Sequence, residues 1–147
     1  MAKLYAGFLI RLAAKIIDWL ILFIILSPVY LISFLITGDP APENPPILST
    51  IYMVAWFAVL ILYDIIFIKK YNATPGKMLM GIKVVKVGKL KITWGNAILR
   101  WFIYKLGSGW WVLFLGALWI IWDKKKQGWH DKAAETIVVY EKYEKKI

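Results

Sequence analysis

Long apolar runs separated by short polar segments dominate the pattern of hydrophobic and polar positions along the chain. The first run covers residues 8–36, and its charged residues all lie in its first third. A helix of this length measures roughly 43 Å, more than the roughly 30 Å of a bilayer's hydrocarbon core. We therefore predict an interfacial helix within residues 1–18 that continues into a transmembrane helix over residues 19–36, kinked at Pro28.

A second apolar run, over residues 47–68, predicts a second transmembrane helix. The loop between the two runs, residues 38–46, contains four prolines and carries no lysine or arginine, whereas residues 69–93 are rich in lysine. Positively charged loops tend to stay in the cytoplasm. The first loop is therefore predicted to be external, and the N-terminus and the second loop are predicted to be cytoplasmic.

The basic loop has a pattern of its own, in which Thr74 is predicted to cap a short helix that begins at Pro75. Residues 82–87 and 90–93 are β-branched and basic and flank a Gly-Lys pair, which predicts a β-hairpin. Residues 136–140 in the tail are predicted to form a further strand, which could pair with this hairpin in a small cytoplasmic sheet.

The last apolar region covers residues 94–122 and is interrupted near its middle by glycine. Each half is shorter than a membrane is thick, and the residues that follow are strongly basic. We predict a re-entrant or interfacial helical hairpin followed by a cytoplasmic tail over residues 123–147, with a third span and an external C-terminus as the alternative. The fold class is all-α integral membrane, a single domain over residues 1–147 with a small cytoplasmic β-hairpin or sheet.

Composition agrees with a membrane protein and argues against several function classes. The chain is 61% hydrophobic with a mean hydropathy of +0.62, more than a soluble domain of 147 residues can bury. It has no cysteine, one histidine and no catalytic motif, so we expect no metal, no cofactor and no enzyme. The formal net charge of +10 is interpreted as basic flanks that stay in the cytoplasm and contact anionic lipid headgroups. It is not interpreted as a surface that binds nucleic acid.

Charged residues in and beside the apolar runs are the candidates for a functional site. Arg11, Lys15 and Asp18 share one face of the first helix, because seven residues make nearly two turns. Their spacing predicts an ion pair between Lys15 and Asp18. Asp64 lies near the inner end of the second run, so Asp18 and Asp64 could bind a cation or share a proton. The plainer interpretation is that these charges extend to lipid headgroups.

The tail adds a compact polar segment, residues 128–132. His130 in this segment is a candidate pH sensor, because its ordinary pKa lies near neutrality. The alternative is a tight turn in which Asp131 caps a helix beginning at Lys132. Both interpretations stay open at this point.

Four groups of residues, in order and in register, resemble the RDD family of membrane proteins. They are Tyr5–Phe8 with Arg11 and Asp18, residues 73–77 with 81–85, Leu99-Arg100, and residues 128–132 with 136–139. The resemblance places the family's arginine and two aspartates at Arg11, Asp18 and Asp131, although His130 stands where many relatives have glycine. It implies a multi-spanning membrane domain of mostly uncharacterised role, with transport of unidentified ligands proposed and sodium/proton antiport attributed to some members.

A transport-type protein is therefore expected, one that exchanges monovalent cations for protons through a homo-oligomer in the cell membrane. The predicted site has one arginine and three aspartates with three supporting residues: Arg11, Asp18, Asp64 and Asp131, then Lys15, Arg100 and His130. The alternative is a non-transporting scaffold or accessory protein that binds anionic lipid or a partner protein.

Overall fold

The computed structural model describes residues 4–37, 46–88, 91–108 and 114–146. Two long helices are followed by short helices and two strands. In chain order the elements are α1 (Phe8–Thr37), α2 (Pro46–Tyr71), α3 (Pro75–Leu79), β1 (Ile82–Lys86), α4 (Trp94–Ser108), α5 (Phe114–Leu118), a 3-10 turn (Trp119–Ile121), α6 (Trp129–Ala133), β2 (Thr136–Tyr140) and a final 3-10 helix (Glu141–Lys146).

The two long apolar runs are helical, as predicted, whereas their crossing of a membrane stays a prediction. Helix α1 is continuous through the predicted boundary after residue 18, and Pro28 lies inside it. Helix α2 ends at Tyr71, because Asn72 adopts a left-handed conformation with φ of 58° and returns its N–H to the carbonyl of Ile68 at 3.1 Å. Within the part of the chain that the structure describes, no helix has the length and apolar character needed to cross a membrane.

The sheet has two antiparallel strands, and it pairs residues far apart in the sequence. Strand β1 runs against β2 in a register that sets Ile82 opposite Tyr140. Ala6 N donates to Val138 O at 2.9 Å, so the segment before α1 lies beside the outer edge of β2. The predicted strand over 136–140 is confirmed, as is its pairing with residues 82–86.

The predicted β-hairpin between residues 82–87 and 90–93 is wrong. Residues 91–93 form no strand, and β2 occupies the place beside β1. Thr93 instead caps α4, since its hydroxyl accepts from Asn96 N at 3.2 Å and its own N–H donates to Asn96 Oδ1 at 3.2 Å. Strand β2, which takes this place, also buries a longer run of side chains, because Thr136 to Val139 are four consecutive buried residues.

The region predicted as a helical hairpin is helical in both parts that the structure describes. Its first half is α4, which extends to Ser108 and so includes Gly107 of the predicted turn. In the second half, the described residues form α5 and the following 3-10 turn. Residues 109–113 and the predicted external loop, apart from Pro46, lie outside the described residues.

The core lies at one end of the two long helices, where α3, α4 and the sheet pack against them. Small side chains at Ala14 and Ala97 allow close approach between elements, and branched side chains fill the rest. The buried residues of this core are Ala6, Ala14, Ile65, Ile68, Ile82, Val84, Ile92, Ala97 and Val138. The charged residues singled out from the sequence surround this core.

Candidate functional site

Asp18 joins α1 to the beginning of α3. Its side chain is fully buried, and its oxygens accept hydrogen bonds from Thr74 Oγ1 at 2.6 Å, Gly76 N at 2.7 Å and Tyr63 Oη at 2.9 Å. The first N–H groups of a helix have no partner within it and favour a negative charge. A carboxylate from α1 therefore takes the place of a local cap and anchors α3.

Gly76 permits this contact because, without a Cβ, its backbone can lie directly against the backbone of α1. A Cβ at this position would lie 2.1 Å from the carbonyl oxygen of Ala14 and 2.9 Å from Asp18 Oδ1. Helix α3 begins at Pro75 with Thr74 at its N-cap position, as predicted, but the Thr74 hydroxyl does not make the predicted capping hydrogen bond. The Thr74 hydroxyl donates to Asp18, and the Asp18 carboxylate accepts the Gly76 N–H in place of that hydroxyl, because a carboxylate is the stronger acceptor.

A second cluster forms around Asp131, which is fully buried in α6. Arg11 Nη1 lies 2.5 Å from Asp131 Oδ2, and Arg100 Nη1 contacts Oδ1. None of the described residues directs a donor at Oδ1 in hydrogen-bond geometry, so the Arg100 contact is an ion pair rather than an aligned hydrogen bond. Burial by itself would raise the pKa of Asp131, but Arg100 and Arg11 hold it well below its usual range.

The two arginines extend this cluster across the fold. Arg11 also donates to the carbonyls of Ala6 at 3.0 Å and Lys126 at 2.5 Å, and Arg100 donates to Thr136 Oγ1 at 2.8 Å. The cluster therefore ties α1 and α4 to the tail and to β2. It brings together Arg11, Arg100 and Asp131, all three of which the sequence singled out.

Asp131 lies within a helix rather than in front of one. Helix α6 begins at Trp129, so the predicted start at Lys132 is wrong, but Asp131 does contribute to the cap, since its Oδ2 accepts from Gly128 N at 3.1 Å. His130 stacks edge-on against Tyr104, with ring centroids 5.2 Å apart. Burial lowers the pKa of His130 to about 4, so its imidazole is neutral at physiological pH.

Lys15 pairs with Asp64 and not with Asp18. Its Nζ lies 3.0 Å and 3.2 Å from the two oxygens of Asp64, and it also lies 5.7 Å from the ring centroid of Tyr104. The predicted pair between Lys15 and Asp18 is wrong, because Asp18 is turned toward α3 and Asp64 reaches Lys15 from α2. Each of the two carboxylates thus has its own donors.

A cavity of about 460 Å³ is lined by residues of helices α1 to α6 and of the 3-10 turn after α5. Its described lining includes five cationic side chains and one carboxylate, which are Arg11, Lys15, Lys77, Arg100, Lys105 and Asp64. Aromatic and aliphatic groups form the remaining walls, among them Trp19 and Trp101. The sequence-predicted residues on this lining are Arg11, Lys15, Asp64, Arg100 and His130, whereas Asp18 and Asp131 are fully buried beside it.

Sequence reasoning missed two charged residues of the described lining, the exposed Lys105 and the more buried Lys77. Lys77 Nζ donates to Thr74 Oγ1 at 3.2 Å, and none of the described carboxylates forms an ion pair with it. Burial lowers the pKa of Lys77 to about 8, and the neighbouring charges of Arg100 and Lys15 act in the same direction. The signal in the sequence was a lysine directly after the Thr-Pro-Gly segment that begins α3.

No group of acidic, histidine or cysteine side chains within the described ranges could hold a metal ion. Because Asp64, the one carboxylate on the described lining, is already paired with Lys15, the cavity offers mainly positive charge. Such a lining, with apolar walls, is suited chemically to an anion that carries an apolar part.

Comparison with known proteins identifies the family. The chain is 31% identical over 147 residues to the Bacillus subtilis (strain 168) protein named "Uncharacterized membrane protein YteJ", covering 97% of this chain and 85% of that protein. It is 30% identical over 152 residues to "Uncharacterized protein YxaI" of the same organism, covering 92% of this chain and 97% of that protein. No solved structure matches. The RDD family matches residues 5–135, and the chain therefore belongs to the RDD family.

Proposed function

We propose that this chain is an integral protein of the cell membrane that binds anionic lipid in its cavity and acts as a non-transporting scaffold or accessory protein. The observation that carries the proposal is the cavity lining, in which five cationic side chains accompany one carboxylate. In a partly desolvated cavity these charges attract an anion much more strongly than they would at an open surface.

Residence in the membrane is supported by the apolar surface of the long helices. On α1, Trp19 is 66% exposed, Phe23 71% and Leu35 72%, and α2 likewise exposes large side chains, including Phe57 at 53%. Each would leave a substantial apolar area in water, at about 25 cal/mol per Å². Contact of these faces with acyl chains removes that cost, and the similarity to a relative named as a membrane protein supports the same placement.

Cation/proton exchange, the other function expected from the sequence, has weaker support. A monovalent cation needs several oxygen ligands, but Asp64 is engaged by Lys15, and the Asp18 oxygens accept bonds from neutral donors. Asp131 is held between two arginines. The three carboxylates are thus engaged in holding elements together, and the surrounding positive charge repels a cation.

The proposal is tested by titrating the purified protein in a neutral maltoside detergent with lysophosphatidylglycerol or lysophosphatidylcholine, followed by tryptophan fluorescence and calorimetry. We expect saturable binding of the anionic lipid only. Lys77→Gln should weaken it by about tenfold, since a desolvated ion contact is worth on the order of 1.4 kcal/mol. The exposed Lys125→Gln is the matched control and should change affinity less than about twofold. Equal losses in the two variants, or no preference for the anionic lipid, would refute a cavity site.

Asp64→Asn separates the proposal from cation exchange, because the two functions predict opposite effects. Removing this carboxylate from a cationic cavity should strengthen anionic lipid binding by roughly fivefold, or about 1 kcal/mol. In liposomes carrying a pH gradient, the unmodified protein should give no dissipation when Na⁺ or Li⁺ is added. Dissipation that Asp64→Asn abolishes would favour exchange and contradict the scaffold function.

A further inference from the structure

We infer that the cavity selects a phosphate monoester over a phosphodiester, with Lys77, Lys15 and Arg100 as its contacts to the phosphate. The inference rests on the proposed anion-binding function and specifies the chemical class of the ligand. A phosphate monoester carries a charge of about −1.5 to −2 at pH 7, whereas a phosphodiester carries one negative charge. The two classes therefore differ in the charge that the cavity must neutralise.

The charge in and directly around the cavity matches a dianion. Five cationic side chains line it, and three carboxylates oppose them: Asp64 on the lining, with Asp18 and Asp131 buried beside it. The balance is two positive charges, and Lys105 is the one lining cation among the described residues that is exposed to solvent. A dianion would neutralise both charges, whereas a phosphodiester would leave one of them unmatched.

The uncompensated positive charge is concentrated at Lys77. Lys15 is held by Asp64, and Arg11 and Arg100 are held by Asp131, whereas Lys77 Nζ donates to a hydroxyl, Thr74 Oγ1. The charge of Asp64 raises the pKa of Lys77, and the charges of its cationic neighbours Arg100 and Lys15 lower it. An ammonium group with two cationic neighbours gains most from an anion with several acceptor oxygens.

The cavity also has room and surface for more than a phosphate group. Its volume is about 460 Å³, and its α1 wall carries Leu12, Ile16 and Trp19, which are 42%, 50% and 66% exposed. The cavity is therefore continuous with the exposed apolar face of α1. A phosphate monoester attached to an acyl chain would place its phosphate among the lysines and its chain along this face.

The same phosphate chemistry could come from a lipid or from a soluble compound, and the experiment separates these sources. The purified full-length chain in neutral maltoside is titrated with lysophosphatidic acid, lysophosphatidylglycerol, glycerol 3-phosphate and inorganic phosphate, by calorimetry and ³¹P NMR. We expect lysophosphatidic acid to bind about tenfold more tightly than lysophosphatidylglycerol, with the ³¹P shift of a dianion. The soluble phosphates should bind more weakly, because they leave the apolar wall uncovered.

Variants assign the preference to Lys77. Lys77→Gln should bring the ratio of the two lipid affinities close to one, whereas Lys77→Arg and the surface control Lys125→Gln should keep the preference. Circular dichroism identifies any variant that fails to fold, and in that case Lys15→Gln, which should also reduce the ratio, decides the question.

Each outcome has a defined meaning. Equal affinity for the two lipids overturns the inference but leaves anionic lipid binding standing, and no binding of either lipid or of soluble phosphate overturns both. A preference for lysophosphatidic acid that survives in Lys77→Gln also overturns the inference. Glycerol 3-phosphate binding as tightly as lysophosphatidic acid would support the monoester class and identify its source as soluble.

Discussion

Substituting Gly76 by alanine should separate α3 from α1. The added Cβ would lie 2.1 Å from the carbonyl oxygen of Ala14, a backbone atom that cannot rotate away, so one helix has to move. That movement breaks the hydrogen bonds that Asp18 accepts from Gly76 N and Thr74 Oγ1. Hydrogen bonds to a charged group contribute about 1.5–3 kcal/mol each. Loss of both predicts a decrease of at least about 3 kcal/mol in the free energy of unfolding.

The measurement is denaturant-induced unfolding in neutral detergent, followed by tryptophan fluorescence. Gly95→Ala is the matched control, since a Cβ there would meet only Thr93 Oγ1, at an ordinary 3.7 Å. Alanine is the better helix former, so this control should be neutral or stabilise the protein by up to about 1 kcal/mol. A Gly76→Ala protein within about 1 kcal/mol of the parent would refute the close contact between α3 and α1.

Three further variants test the buried charges by the same assay. Asp18→Asn keeps the shape of the side chain but removes its charge, and should cost about 1–2 kcal/mol, because the hydrogen bonds become neutral. Asp131→Asn leaves two arginines unpaired in the interior and should lower the free energy of unfolding by about 3–5 kcal/mol. The control Asp123→Asn, at a more exposed ion pair, should lower it by about 1 kcal/mol. Equal effects of the two variants would contradict the buried pairing. Burial lowers the pKa of His130 from 6.5 to about 4, so the stability gained by keeping this imidazole neutral is complete above pH 6.5. The free energy of unfolding should fall by about 3 kcal/mol in total as pH falls toward 4. Measured from pH 7 to 4, His130→Gln should flatten this part of the stability profile, and a parent profile that is already flat would contradict the prediction.

Local patterns predicted the helices well and the pairing of strands only in part, since the pairing of residues 136–140 with 82–86 is confirmed but the hairpin is wrong. The runs at 8–36 and 47–68 are helical because their apolar length leaves few alternatives. The hairpin failed because it relied on a nearby Gly-Lys turn, whereas β2 supplies a more buried partner from the end of the chain. Strand pairing depends on which distant segment buries most surface, and no local pattern contains that information.

The charged residues show the same difference between local structure, which the sequence predicts, and contacts between distant segments, which it predicts less well. Arg11, Lys15 and Asp18 were correctly placed on one helix, but the predicted pair between Lys15 and Asp18 was wrong, because each of them bonds to an element that α1 meets only after folding. Spacing within a helix predicts which residues share a face. It does not predict whether a neighbouring element will offer a better partner, and α2, α3 and α6 do so here.

This distinction bears on how variants of the carboxylates should be interpreted. Asp18 and Asp131 are fully buried and hold α3, α1 and α4 in place, so loss of function in their variants would follow from loss of structure whatever the protein does. Lys77 lines the cavity and holds no other element by an ion pair with a described carboxylate. Variants of Lys77 therefore separate the chemistry of the cavity from the integrity of the fold, and the function of this chain is better tested there than at the aspartates.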